Sequence, residues 1–360
     1  MSQFRLDAII YAFFLILMVY GCVIGLYSNS VTIRTEYKKP SAFLYILLIF
    51  LIIYLGTSTG TDRRLYDAIY QQYVDGFQWE DSDEGYVGWN TLNYMLSRFV
   101  TSSSVFFLII SCVYVLANFW FCLKMSINYH ILFIMVISCM GFRGYGVNTI
   151  KAGLALSFAL IAIAHYYKNK RKSIVFSIIS ILIHTSCVIP VLVFWATGFF
   201  KKIKLKYFYL VWVVCVGLSI MMGDYFKNIL GGYLEDEDMV MSSRYFLAEE
   251  SKYQMGFRYD FLIYSVVPIL WGWFLRNKCK YEDERWLQLY KTYILVNAFW
   301  VLVITMSFTD RVAYLSWFLI PYITLLPLLD MNKYQLRNRK KYIQLIMLLF
   351  GTFSIYMIFR

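Results

Sequence analysis

The sequence is poor in charge, in proline and in histidine. Of its 360 residues only 16% are charged, 5 are proline and 3 are histidine, whereas 60% are hydrophobic. A soluble domain carries nearer a quarter charged residues, and uncharged runs long enough to cross a bilayer recur along the chain. The composition therefore excludes a soluble globular protein and predicts an all-α, polytopic membrane protein.

Patterns that hold metals, disulfides or nucleotides are also missing. The 7 cysteines are scattered, mostly inside apolar runs, and form no CxxC pair and no Cys/His spacing. The sequence contains neither a P-loop nor a dinucleotide fingerprint. We therefore expect no metal and no cofactor. Basic cytoplasmic loops explain the net charge of +12 better than a nucleic-acid partner does.

The apolar runs predict about twelve membrane crossings. The first run, residues 8–27, is too long and too aromatic for a signal peptide, and we interpret it as a retained helix. If every run crossed once, the basic segments 168–172 and 201–206 would face opposite sides. The conflict disappears if residues 173–200 form a short hairpin, because one helix of that length would span roughly 42 Å against a core of about 30 Å.

The hairpin is predicted to turn at His184, with Ser186 as the N-cap of its returning half. In the resulting topology residues 1–360 form a single integral membrane domain. The outer side then holds residues 57–103, which contain an interfacial helix, the segment 143–151, His184, the acidic loop 224–258, and Asp310 with Arg311. Arginines on that side run against the positive-inside rule, so we expect them to meet an anionic ligand.

The segment GTDRRLYDAIYQQY (60–73) follows an uncharged run and places Asp62 beside Arg63. Its tyrosines, of which Tyr66 is the first, repeat at helical spacing. This pattern is typical of an interfacial helix whose rings lie among lipid headgroups. Asp62 suits a helix N-cap and a catalytic carboxylate equally well, and the two roles are compatible.

The next polar segment, DSDEGYVGWN (81–90), supplies Glu84, Tyr86 and Asn90. Sugar recognition uses aromatic rings for C–H surfaces and fixed polar groups for hydroxyls. Exposed acidic loops are usually just solvated, so composition alone makes this a weak indication of a sugar site.

The segment GFRGYGVNTIKAG (141–153) supplies Arg143, Tyr145 and Lys151. Its close glycines are expected to prevent a regular helix and to let the backbone approach a ligand. Both cations suit a phosphate, which arginine binds through two parallel hydrogen bonds.

Three further ionisable residues are candidates on the outer side. His184 lies in an apolar hairpin, where a histidine is either a structural donor or a base. Arg244 and Arg311 add positive charge. Arg311 either pairs with the neighbouring Asp310 or faces the same cavity with it.

In order and spacing these segments resemble the EpsG family of bacterial exopolysaccharide proteins, relatives of Wzy-type O-antigen and capsule polymerases. The matching elements are GTDRRLY, EGY (84–86), IKAGLA (150–155), ILIHTSCVI (181–189) and DRVAYLSWFLIPYITLLPLL (310–329). Lys151 stands where the family usually has arginine. Either Arg143 or Lys151 is then expected to take that arginine's role.

The resemblance implies a multispanning fold similar to the GT-C class and a lipid-dependent glycosyltransferase in the bacterial cytoplasmic membrane. Its substrates are implied to be oligosaccharide repeat units on undecaprenyl pyrophosphate at the outer face. The growing chain would move from its carrier onto a new lipid-linked unit. The resemblance also implies a partner that regulates chain length, and neither a metal nor a nucleotide.

Such a reaction needs a base for the acceptor hydroxyl and cations for the departing pyrophosphate. Asp62 is the first candidate for the base, followed by Glu84 and His184. The candidates for binding pyrophosphate or sugar are Arg143, Lys151, Arg311, Arg244, Arg63, Tyr66, Tyr86, Asn90, Tyr145 and Tyr314.

Two other function classes remain open. A flippase or transporter of lipid-linked oligosaccharide would line a path through both leaflets with polar residues, whereas the candidate charges here cluster on the outer side. A membrane O-acyltransferase acting on polysaccharide would need a histidine base. His130 and His165 lie near predicted inner helix ends, without an acid partner evident in the sequence.

Overall fold

The computed structural model describes residues 3–77, 87–235, 256–306, 309–330, 336 and 338–359. Within these ranges the chain is helical and contains no β-strand. In chain order the helices are α1 (Gln3–Tyr27), α2 (Ala42–Thr57), α3 (Arg63–Val74), α4 (Val87–Ser97), α5 (Ser103–Met125), α6 (Tyr129–Ser138), α7 (Met140–Val147), α8 (Ile150–His165), α9 (Lys170–Ile183), α10 (Val188–Phe199), α11 (Leu205–Glu235), α12 (Tyr259–Asn277), α13 (Glu284–Leu302), α14 (Thr309–Trp317), α15 (Ile320–Asp330) and α16 (Arg339–Phe359).

By length and composition, 5 of the described helical stretches can cross a membrane, or 6 if α6 and α7 count as one bent span. The stretches are Arg5–Tyr27, Ser103–Met125, Leu205–Gly223, Thr309–Asp330 and Arg339–Phe359. Three apolar helices are shorter: Ala42–Thr57, Ile150–His165 and Thr185–Phe199. The chain is thus an all-helical membrane protein. Even with these shorter helices the described candidates stay below about twelve crossings, so that figure stays a prediction.

The chain divides into two compact units. The first contains Met1–Ser82, Tyr86–Thr185 and Thr324–Arg360, and the second contains Asp83–Gly85 and Ser186–Ile323. The division describes packing within the chain, so the single membrane domain stays a prediction.

In the first unit, α16 packs antiparallel along α1. The Gln344 side chain donates to the Val23 carbonyl at 2.9 Å. Further along, a Cβ on Gly351 would lie only 2.9 Å from a methyl group of Val19, so glycine lets the two helices approach closely. The contact buries an apolar stripe of both helices and closes the N- and C-terminal helices onto each other.

A polar cluster in the first unit satisfies the last carbonyl groups of α15. The Asn128 side chain accepts from the Arg34 backbone N–H at 2.6 Å and donates to the Leu329 carbonyl at 3.2 Å. The Arg339 guanidinium donates to the carbonyls of Leu328 and Leu329. Without such partners the end of a buried helix would leave its carbonyls unpaired. Residues around Arg34 and Arg339 therefore lie together.

The predicted break inside residues 173–200 is confirmed at His184. This residue ends α9 in an extended conformation (φ −149°, ψ 113°), and a 3₁₀ turn at Thr185–Cys187 follows. The N-cap of α10 is Cys187, so the prediction of Ser186 at that position is wrong. Pro190 lies in the first turn of α10, where its missing N–H has no partner to lose.

In the second unit, α13 is the helix on which others pack. Its Gln288 side chain donates to the Phe194 carbonyl of α10 at 2.8 Å, and its Asn297 accepts from the Trp212 ring N–H of α11 at 2.9 Å. Lys291 is buried, and its ammonium group donates to the carbonyl of Lys201 at 2.8 Å. This contact gives a hydrogen-bond donor to a carbonyl group just beyond the end of α10.

Candidate functional site

Residues 58–62, here called the Asp62 loop, connect α2 to α3 and are held against the turn between α7 and α8. The backbone N–H of Thr61 donates to the Asn148 side-chain oxygen at 3.2 Å. A Cβ on Gly60 would lie 2.3 Å from that oxygen and 2.8 Å from the Val147 carbonyl oxygen. Any side chain at position 60 would therefore push the loop away. The two predicted outer segments, 60–73 and 141–153, thus meet here.

Asp62 is buried at the start of α3, with 5% of its surface exposed. Its backbone carbonyl accepts from the N–H groups of Leu65 and Tyr66, both at 3.1 Å, whereas its side chain makes no capping hydrogen bond. Asp62 is therefore the N-cap residue of α3, as predicted, but its side chain does not supply the capping hydrogen bond. The hydroxyl of Thr61 donates to the Asp62 carboxylate at 3.3 Å.

Arg63 caps the end of α2. Its guanidinium donates to the Leu55 carbonyl at 2.8 Å and to the Gly56 carbonyl, and it stacks 3.9 Å from the centre of the Phe107 ring. Burial lowers the pKa of Arg63 to about 10, against the raising effect of the Asp67 and Asp7 charges. The side chain stays protonated at neutral pH. These contacts give Arg63 a structural role, and its ligand role stays a prediction.

Replacing Arg63 by Ala is expected to destabilise the protein by about 2 kcal/mol, because two charged hydrogen bonds to helix-end carbonyls are lost. The apparent thermal midpoint of detergent-solubilised protein, measured by intrinsic fluorescence, reports the change. Arg64 is exposed, so Arg64→Ala is the matched control and should change stability by less than about 0.5 kcal/mol. Equal midpoints for the two variants would contradict the capping role.

Arg143 lies in α7 and is half-buried among aromatic rings. Its Nε donates to the Tyr54 hydroxyl at 3.1 Å, and its guanidinium carbon lies 5.9 Å from the centre of the Tyr11 ring. The Tyr11 and Tyr54 rings stack with their centres 5.3 Å apart. Two helices besides α7, namely α1 and α2, therefore orient this guanidinium.

The glycine-rich segment around Arg143 forms a helix, so the prediction that its glycines prevent one is wrong. The chain bends by 71° at Cys139 and then continues as α7. A Cβ on Gly146 would lie 2.7 Å from the Leu55 side chain, and one on Gly153 would lie 2.6 Å from the Tyr145 carbonyl oxygen. The glycines serve close helix packing rather than an irregular backbone.

Tyr145 and Lys151 are both buried next to this packing. Tyr145 is 4% exposed in α7, and Lys151 is 5% exposed in the first turn of α8. The N-terminus of a helix carries a partial positive charge that favours anions. Lys151 therefore adds a positive charge at a helix N-terminus whose backbone already favours an anion.

The tyrosine stripe of α3 packs on protein, so the prediction that its rings lie among lipid headgroups is wrong. Tyr66 contacts the Trp89 ring edge-on at 5.7 Å between centres. Tyr70 stacks on Phe106 at 4.1 Å and donates to the Val100 carbonyl at 2.7 Å. The stripe attaches α3 to α4 and α5.

Helix α4 in turn connects this region to His184. A Cβ on Gly88 would lie 2.6 Å from the Leu182 carbonyl carbon and 2.9 Å from the Ile183 backbone nitrogen. Asn90, two residues after Gly88, is 2% exposed. Consecutive contacts thus run from Arg143 through the Asp62 loop, α3 and α4 to the end of α9, where His184 is half-buried.

Two acids near Asp62 were not predicted as site residues. Asp67, in α3, has a buried carboxylate oxygen that accepts no hydrogen bond from the part of the chain that the structure describes. Asp7, in α1, accepts from Thr59 of the Asp62 loop. The helical offset of Asp67 from Asp62 is visible in the sequence, whereas nothing in the sequence associates Asp7 with residue 59.

Three predicted site residues, Glu84, Tyr86 and Arg244, lie outside the described residues.

Arg311 and Tyr314 belong to the second unit. The charges of Arg311 and Arg258 both act on the carboxyl group of Asp310. Arg258 is paired with Asp260 through two hydrogen bonds of 2.9 Å and 2.7 Å. Tyr314 is 7% exposed and packs on the Trp317 ring at 5.6 Å between centres. The second unit therefore has its own cluster of charges at the start of α14.

A hollow of about 450 Å³ opens in the second unit where α11 is kinked at Met222. Met221 and Tyr259 line it, and so do the buried hydroxyls of Ser219 and Thr305. Neither hydroxyl has a hydrogen-bond partner among the described residues. The hollow is thus lined both by apolar side chains and by polar groups.

Comparison with known families gives a match to the EpsG family over residues 41–360. The chain belongs to the EpsG family. Members of the EpsG family are membrane proteins that resemble Wzy-type polysaccharide polymerases. Neither the curated proteins nor the solved structures contain a significant match to the chain.

The EpsG match covers the described site residues of both units: Asp62, Arg143, Lys151, His184 and Arg311. It leaves out α1, which supplies Tyr11 beside Arg143 and Asp7 beside the Asp62 loop. Membership in the EpsG family gives the polymerase-like class, and the likeness to GT-C enzymes stays a prediction.

Proposed function

We propose that this protein polymerises lipid-linked oligosaccharide repeat units at the outer face of the bacterial cytoplasmic membrane. It transfers a growing chain from undecaprenyl pyrophosphate to a new lipid-linked unit. Membership in the EpsG family supports a polymerase. One geometric observation carries the residue assignment. The Asp62 loop contacts Asn148 at the end of the helix that carries Arg143.

In the proposed reaction the acceptor hydroxyl oxygen attacks the anomeric carbon at the end of the growing chain, and its proton passes to the Asp62 carboxylate. The bond between that carbon and the pyrophosphate oxygen breaks, and its electron pair leaves with the lipid pyrophosphate. Direct attack inverts the anomeric configuration. Inversion is the simplest course because no separate nucleophile is assigned.

Cations beside the leaving group stabilise the charge that develops on it. Arg143 suits this role because a guanidinium is always protonated and matches phosphate oxygens in pairs. Tyr54 and Tyr11 hold its plane in one orientation, which lowers the cost of ordering it when substrate binds. Lys151 supports the same charge from the N-terminus of α8.

Other groups keep secondary roles in the proposal. Glu84 and His184 are the alternative bases, and Arg311 and Arg244 are further pyrophosphate ligands. A separate partner that sets chain length completes the system.

The test uses purified protein in liposomes with no ion gradient. The substrate is lipid-linked repeat units extracted from a producer strain that lacks this chain. A ladder of longer lipid-linked glycans on a gel is the expected result. Movement of the substrate across the bilayer without elongation would support the flippase instead. Acylated glycan without elongation would support the O-acyltransferase.

A further inference from the structure

Asp7, near the start of α1, is attached to the loop that carries Asp62. One of its carboxylate oxygens accepts from the Thr59 backbone N–H at 2.8 Å and from the Thr59 hydroxyl at 2.8 Å. Its backbone carbonyl accepts from the Tyr54 hydroxyl, also at 2.8 Å. One residue of α1 therefore contacts both the last turn of α2 and Thr59, which lies two residues beyond the end of α2.

The Asp62 loop is thus attached at two points. Asp7 binds it at Thr59, and Asn148 binds it at Thr61. Between them Gly60 lies too close to Asn148 for a side chain. Asp62 directly follows Thr61, so both attachments hold the backbone that carries its carboxylate.

A simpler explanation for Asp7 is that an acid near a helix N-terminus stabilises that helix through its dipole. That explanation requires no partner 52 residues away and no paired donors. The two hydrogen bonds from one threonine are instead what a positioning contact requires. Asp7 also lies outside the residues matched to the EpsG family, 41–360.

We propose that Asp7 is a positioning residue for glycosyl transfer. Through Thr59 it holds the loop so that Asp62 reaches the acceptor hydroxyl. The inference rests on the proposed polymerase function and on Asp62 as its base. An orientation error of this kind affects the chemical step more than substrate binding.

The test compares kcat and KM of purified variants, with the extracted lipid-linked repeat units as substrate. Asp7→Ala is expected to lower kcat roughly tenfold or more, with KM within about twofold of wild type. Asp7→Asn retains one acceptor oxygen and should recover most of the lost rate. A wild-type kcat for Asp7→Ala would overturn the proposal.

Thr59 offers the matched series. Thr59→Val, which removes the hydroxyl, should lower kcat, while Thr59→Ser should keep it. Thr57 is exposed and donates its hydroxyl within α2, so Thr57→Val is the control and should behave as wild type. Because Asp7→Ala and Thr59→Val remove the same contact, the double variant should be no slower than Asp7→Ala alone. If the double variant instead loses kcat by the product of the two single losses, the proposal is overturned.

A readout independent of activity follows the loop itself. In a Thr61→Cys variant, Asp7→Ala should raise the alkylation rate at position 61 several-fold, because a loosened loop exposes the thiol more often. Peptide mass spectrometry separates this site from the 7 native free cysteines. An unchanged alkylation rate would contradict the proposal. If Asp7→Ala does not fold, Asp7→Asn and Thr59→Val carry the test.

The two proposals fail differently. Full activity in Asp62→Asn removes the base and, with it, the proposed mechanism. Loss of activity in Asp62→Asn together with wild-type kcat in Asp7→Ala removes only the positioning role.

Discussion

Asp62→Asn is expected to abolish chain elongation while the protein stays folded. Asparagine keeps the shape of aspartate and its contact with Thr61 but cannot accept the acceptor proton at neutral pH. Removing a general base typically lowers a rate by about 10²- to 10⁴-fold. Gel ladders from purified protein and lipid-linked repeat units measure the loss, and size-exclusion profiles verify folding.

Asp75 provides the control, because it is exposed at the other end of α3. Asp75→Asn should leave the ladder unchanged. Asp67→Asn is the competing variant, since Asp67 also presents a buried carboxylate oxygen. An active Asp62→Asn beside an inactive Asp67→Asn would transfer the role of base to Asp67.

Arg143→Ala is expected to give the second largest loss, about 10²- to 10³-fold in elongation rate, because a cation at the leaving pyrophosphate is removed. Arg143→Lys should recover part of the rate, since it keeps the charge but lacks the planar pair of donors. The measurement is the initial rate of elongation at saturating substrate, with thermal midpoints recorded for each variant.

Arg98 is the matched arginine for this series. It is exposed and stacks on Tyr94 with its guanidinium carbon 4.4 Å from the ring centre, so Arg98→Ala should elongate as wild type. Lys151→Ala should lower the elongation rate less than Arg143→Ala does if Arg143 takes the role of the family's arginine. Wild-type ladders from Arg143→Ala would remove that side chain from the mechanism.

The break at His184 could be predicted because a charge argument fixed it. Two basic loops at 168–172 and 201–206 conflicted unless residues 173–200 turned back. The exact cap could not be predicted, since Ser186 is the better capping side chain in isolation but the structure uses a 3₁₀ turn that shifts the cap to Cys187. The geometry of the turn, and not the capping preference of serine, therefore decides where α10 begins.

The tyrosine stripe and the glycines show what pattern alone leaves open. The spacing from Tyr66 predicted an aromatic helix face correctly, but the same face suits lipid headgroups or a neighbouring helix. Only the position of Trp89 and Phe106 decides between them. From the sequence alone Gly146 likewise predicts a break in the helix, whereas its contact with Leu55 shows that it allows close packing.

The meeting of the Asp62 loop with the end of the helix that carries Arg143 was expected, because both segments were predicted for the outer side. The partners that hold them were not. Tyr11 and Asp7 lie in an apolar run that reads only as a membrane helix, and their contacts reach across more than fifty residues of sequence. Long-range pairing of single side chains has no periodic signal.

The surroundings of Arg63 make α1 matter for the stability of a residue that lies after α2. Burial disfavours the charged guanidinium, and the charges of Asp67 and Asp7 act against that effect. Asp7 belongs to α1, which precedes the residues matched to the EpsG family. A shortened chain starting at residue 41 would keep Asp67 but lose Asp7, so a buried cation would lose part of its compensation. Such a chain is expected to unfold at a lower temperature than the full chain.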